Sequence, residues 1–120
     1  MYATLKILYD YLMSVSDISG YSELFFKTAD EHITQIEEGL REVMHSANPN
    51  ELTEEIYRHV HSLKGSSSVM GYNAISSICT KLGDILHPDA TTYTITEQNF
   101  NELTNLMKAL KEEMSEIRRS

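Results

Sequence analysis

The run His59-Val60-His61-Ser62-Leu63-Lys64-Gly65-Ser66-Ser67-Ser68-Val69-Met70-Gly71-Tyr72 decides how this 120-residue chain is read. Upstream, Leu52 and Ile56 join Val60, Leu63, Ser67 and Met70 at steps of three and four, the spacing of one buried helical face. Gly71 suits the end of that helix, and Asn73 can cap the next. At about 100° per residue, His61 lies about 100° round from Val60 and about 200° from Leu63. It belongs on the outer face, in line with Tyr57, Lys64, Gly65 and Ser68. His59 falls near the flank of the buried stripe.

The same periodicity extends in both directions. Before the decisive helix, Asn48 can cap, Pro49 suits the first helical position, and Glu51 stands where a capping-box acid belongs. Further upstream, Phe26, Ala29, Ile33, Ile36, Leu40 and Val43 mark a helix from about Ser22 to His45. Residues 16–20 read as a turn, and Leu5, Leu8, Leu12 and Val15 line one face of a first segment over Tyr2 to Val15. Downstream, Ile75, Ile78, Leu82 and Ile85 point inward on a helix that stops before Pro88. Thr96 can cap a last helix whose stripe is Phe100, Leu103, Met107, Leu110, Met114 and Ile117. The expected fold is all-α: an up-down four-helix bundle over 17–120, with an additional N-terminal helical extension over 1–16.

Composition narrows the function classes. Ten Lys and Arg stand against 18 Asp and Glu, a formal charge of −8, which argues against a nucleic-acid partner. The one cysteine, Cys79, excludes a disulfide framework or a thiolate metal cage and reads as a small buried residue. The apolar start contains Lys6 and Asp10 and is shorter than the roughly 20 residues that cross a bilayer. No membrane span and a cytoplasmic location are therefore expected.

The outer face of the decisive helix carries the chemistry. An exposed histidine with a pKa of about 6.5 keeps a neutral, nucleophilic ring nitrogen near neutral pH. Lys64, at i+3, can neutralise a phosphoryl group on that ring. Gly65, at i+4, is where a side chain would lean back over the histidine. Glycine inside a helix costs about 1 kcal/mol relative to alanine. Clearance for a docking partner gives it a reason, and a close helix crossing is the other reading.

With those residues in view, His61-Ser62-Leu63-Lys64-Gly65-Ser66-Ser67 and Gly71 resemble the signature of histidine phosphotransfer domains. Phe25-Phe26-Lys27-Thr28-Ala29-Asp30-Glu31-His32 resembles the first helix of the phosphorylation domain of chemotaxis histidine kinases, and the similarity runs from about Asp17 to Ile117. The resemblance implies a phosphorelay intermediate of a two-component system. His61 would be the phosphoacceptor, Lys64 the phosphate-neutralising residue, and Gly65, Ser68 and Tyr57 the clearance and docking patch. Its partners would be a histidine kinase catalytic domain and a response-regulator receiver domain, which bring the ATP and magnesium; no cofactor is expected in this chain. One position departs from the pattern. Many relatives carry a Glu or Gln on the next helix that orients the imidazole, and the matching residue here is Gly83. Orientation then falls to water, to Thr80, or to nothing firm.

Two other readings compete. A metal site is weak, because His59 and His61 diverge by about 200° and His32, His45 and His87 lie on other segments. An interaction bundle that transfers nothing, a docking or dimerisation module of a signalling kinase, is the stronger rival.

Overall fold

Amphipathic helices joined by short connections must bury their stripes against one another. The computed structural model describes residues 18–89 and 91–120 and shows four helices doing so. They are α1 (Ile18–Val43), α2 (Pro49–Val69), α3 (Asn73–Leu86) and α4 (Glu97–Arg119). The expected helix over Tyr2–Val15, and with it the extension over 1–16, lies outside the described residues. α1 packs on α2, α2 on α3, and α3 on α4. Neighbours run antiparallel: His32 meets His59 and Gly39 meets Ile56 across α1 and α2, and Ser68 meets Ser76 across α2 and α3. α4 closes the up-down bundle against α1 through Lys111 on Glu37, 3.0 Å apart, and Arg118 on Asp30. Arg118 also lies over the Phe26 ring, 5.0 Å from its centroid. Between these two helices runs an open groove of about 790 Å³.

The core follows most of the sequence stripes. Ala29, Ile33, Ile36, Leu40 and Val43 are buried on α1, Ile56, Val60, Leu63 and Ser67 on α2, and Leu103, Met107, Leu110 and Met114 on α4. Leu52 and Met70 are half-buried at the ends of their stripe, where solvent reaches. Three details of side-chain placement differ. Phe25, not Phe26, fills the α1 seam, and Phe26 stacks half-buried on Tyr72. On α3 the buried seam is Ile75, Cys79, Leu82 and Leu86, with Ile78 and Ile85 half-buried beside it. Both sets on α3 keep helical spacing, so periodicity could not choose between them. Cys79 is indeed a buried free thiol.

The helix ends show which capping signals operate. The expected turn over 16–20 gives way to helix from Ile18, since Ser19 and Gly20 sit within the first turn of α1. Asn48 flanks α2 but makes no side-chain cap, so the expected box with Glu51 does not form; Ser46 Oγ instead accepts from the Asn48 amide. Asn73 is the first residue of α3 rather than its cap, and Tyr72 precedes it with no side-chain bond. Gly71 ends α2 as expected. Its φ of +78° lets the Tyr72 amide reach Ser67 O at 2.8 Å and its own amide reach Ser68 O at 3.1 Å, the paired bonds of a Schellman turn. Thr96 and Asn99 form a reciprocal capping box at the start of α4.

One glycine sets a helix spacing. A Cβ built on Gly39 would stand 2.6 Å from Ile56 Cγ1 and 2.9 Å from Cδ1, and Ile56 is itself 1% exposed. α1 and α2 can approach this closely because residue 39 has no side chain. Gly39→Ala is expected to lose about 1–3 kcal/mol to overpacking, more than the roughly 0.5–1 kcal/mol gained in helix propensity. Urea denaturation of the two proteins measures the difference.

Candidate functional site

α2 presents its candidate residues along the edge it shares with α3. The fully buried seam of Ile56, Val60 and Leu63 turns His61 outward, and His61 is exposed. Lys64 is half-buried one turn on, and both residues line a cavity of about 70 Å³ with Tyr57, Thr80, Gly83, Asp84 and His87. Among the described residues no hydrogen bond reaches either ring nitrogen of His61. Thr80, one candidate for orienting the ring, donates its hydroxyl to Ser76 O at 3.0 Å instead.

Gly65 is exposed, and a Cβ placed there would meet nothing within 4 Å. That removes the close helix crossing as its explanation. Ser68 is exposed, and its hydroxyl shares a 2.7 Å hydrogen bond with Ser76, tying the patch to α3. Val69 continues the surface at 85% exposure, an apolar side chain lying off the stripe of Leu63, Ser67 and Met70.

Tyr57 sits deeper than the docking patch predicts. It is half-buried, and its ring stacks on His61 with centroids 5.9 Å apart and planes 24° from parallel. Two rings brace it from behind. His87 and Tyr93 stack at 4.1 Å and 6°, and both present to Tyr57 at about 60°, 5.1 and 5.5 Å away. His87 Nδ1 donates to Thr92 O, because a carbonyl can only accept. The loop bearing them is held by Asp89, whose Oδ1 accepts from the Thr91 amide and hydroxyl and the Thr92 amide. These bonds, the Thr91 amide foremost, hold the Asp89 carboxyl down at about 2. Sequence spacing gave no sign of this aromatic group, since residues 57 and 61 lie on α2 while 87 and 93 come from the loop after α3.

Two further titratable groups lie nearby without joining the site. Burial pushes the Cys79 thiol up to about 12, against the pull of Lys64, so it borders the cavity as an inert neutral group. On the α1 side, His32 and His59 bring their Nδ1 atoms 3.0 Å apart. Sequence reading set these on separate segments; antiparallel packing unites them. One Nδ1 must donate and the other accept, which disfavours a proton on both Nδ1 atoms and so disfavours charging both rings. Burial first, then the charge of His59, lowers the His32 pKa, with Glu31 opposing. Among the described residues no three metal-ligating side chains converge, and no helix is long and apolar enough to cross a membrane.

Comparison with known proteins bears on this arrangement. A family model described as the Hpt domain matches residues 20–118. The chemotaxis protein CheA of Halobacterium salinarum is 32% identical over 69 residues, 58% of this chain and 10% of that protein. The CheA of Listeria monocytogenes is 27% identical over 64 residues, 53% of this chain and 10% of its own length. The chain thus spans about a tenth of these relatives. No solved structure gives a significant match.

Two outcomes follow from the geometry. With open space at residue 65, Gly65→Ala is expected to gain roughly 0.5–1 kcal/mol of helix stability, raising Tm by several degrees in a thermal melt. A histidine whose folded pKa lies below the ordinary 6.5 contributes fully above pH 6.5 and loses that contribution as pH falls toward the lowered value. The urea midpoint should therefore drop more between pH 7.5 and 5.5 in the parent chain than in His32→Gln.

Proposed function

Because this chain belongs to the Hpt domain family, histidine phosphotransfer modules of two-component signalling, we propose that His61 is its phosphoacceptor. The supporting observation is local. An exposed imidazole, with no hydrogen-bond partner among the described residues, stands beside a lysine and a glycine that leaves open space.

The transfer needs little from this chain beyond a nucleophile and a charge. The unprotonated ring nitrogen of His61 attacks a phosphoryl group on ATP or on a receiver aspartate. A P–N bond forms as the P–O bond breaks, and the electron pair leaves with ADP or with the aspartate carboxylate. The proton on the other ring nitrogen stays or passes to water. In the reverse direction a receiver carboxylate takes the phosphoryl group and the imidazole leaves. Lys64, one turn away, offsets the charge of the group while His61 holds it. Magnesium and ATP would come with the kinase catalytic and receiver domains.

Docking such a partner brings a foreign surface down onto α2. Gly65 supplies the clearance, and Ser68 and Val69 supply a small, partly apolar contact beyond it. The relatives named CheA are chemotaxis proteins in which the matched stretch is about a tenth of the length, which supports a place for this chain in signalling of that kind.

Labelling tests the reading directly. Incubated with a histidine kinase catalytic domain and labelled ATP, or with phosphoramidate, the chain should acquire acid-labile, base-stable phosphate. His61→Gln should acquire none; equal labelling of that variant would overturn the assignment and favour a docking bundle that transfers nothing. Gly65→Ala should take label from phosphoramidate at the parent rate but from the kinase domain more slowly, by about tenfold for a lost contact worth about 1.4 kcal/mol.

A further inference from the structure

A helix position without a side chain, facing an aromatic ring that in turn faces the phosphoacceptor, points to a specific device. A Cβ on Gly83 would stand 3.4 Å from Tyr57 Cε2. That is ordinary van der Waals contact, so the edge of the Tyr57 ring lies about one methyl group's width from the Gly83 backbone. Tyr57 stacks on His61 from that position. Among the described residues this stack is the one ring contact His61 makes, and no hydrogen bond reaches its ring nitrogens.

We propose that Tyr57 is the positioning residue of His61, holding the plane of its imidazole by stacking, with Gly83 the helix position that the edge of its ring packs against. The inference rests on His61 being the phosphoacceptor and adds how its ring is presented. Three observations support it besides the stack. Tyr57 is half-buried and braced edge-on by His87 and Tyr93, so it is a fixed surface rather than a free rotor. His87 and Tyr93 are locked to each other, and His87 is tied to the Thr92 carbonyl. Asp89 pins the loop that carries them with three hydrogen bonds. Support therefore passes from the α3–α4 loop through two aromatic layers to the reactive ring. Tyr57 touches no transferred group, so its effect is on the fraction of time the ring is correctly presented. An aromatic stack biases that fraction by about threefold to tenfold.

The experiment pairs Tyr57→Phe with Tyr57→Leu, and adds Gly83→Leu to displace the tyrosine from the other side should Tyr57→Leu fold poorly. Circular dichroism selects variants with parent helicity. Two quantities are then read: the NMR shifts of the His61 ring protons, which a stacked ring current displaces, and the rate of labelling by phosphoramidate. Tyr57→Phe should match the parent in both. Tyr57→Leu and Gly83→Leu should lose the ring-current displacement and label about threefold to tenfold more slowly. Unchanged His61 shifts or an unchanged rate in the leucine variants would overturn the proposal. So would loss of both in Tyr57→Phe, which would assign the effect to the hydroxyl. If the parent chain takes no label at His61, the phosphoacceptor reading fails by itself, and the NMR shifts alone then decide whether Tyr57 holds the ring.

Discussion

Ile56, Val60, Leu63 and Ser67 are each at most 1% exposed, and together they fix how far α2 is turned about its own axis. Every property of the outer face follows from that rotation. A turn of one residue, about 100°, would bury His61 and expose Val60. Both flanks enforce the angle. On one side Ile56 fills the space that Gly39 leaves open on α1; on the other Ser68 is bonded to Ser76 of α3. The Schellman turn at Gly71 then sets where α2 stops and α3 begins, which brings residues 80, 83 and 87 alongside 61 and 57.

Glycine serves three separate ends in this bundle. At 39 its missing side chain permits a close helix approach inside the core. At 65 it leaves a surface clear, with no neighbour in the chain to explain it. At 83 it lies against the edge of a ring from the adjacent helix, where a Cβ would make ordinary contact. Only surroundings separate these cases, since all three lie within regular helix. The absence of a side chain is, in each, a statement about what stands opposite.

Much of this was legible from residue order. Stripes at steps of three and four located four helices, and the outward placement of His61 followed from its angle to Val60 and Leu63. The Hpt resemblance was carried by a contiguous motif, and contiguous motifs are what a sequence displays best. Losses came where spacing is degenerate or contacts are distant. On α3 both Ile78 and Cys79 satisfy a helical seam, so the fully buried member was misassigned. Asn48 and Asn73 have the chemistry of caps but not the geometry here. The pairing of His32 with His59 and the ring group around Tyr57 join residues separated by 27 positions or more, or on different elements, and needed the packed bundle to appear.

The vacancy at Gly83 has an effect on proton placement. A carboxylate or amide hydrogen-bonded to one imidazole nitrogen dictates which nitrogen carries the hydrogen and which keeps the lone pair. A stacked face constrains the plane and leaves that choice unmade. Both neutral tautomers of His61 are then open to it until something approaches. With His61 as phosphoacceptor, the selection would pass to the pocket of a docked partner, and the tautomer would become a property of that complex rather than of the bundle.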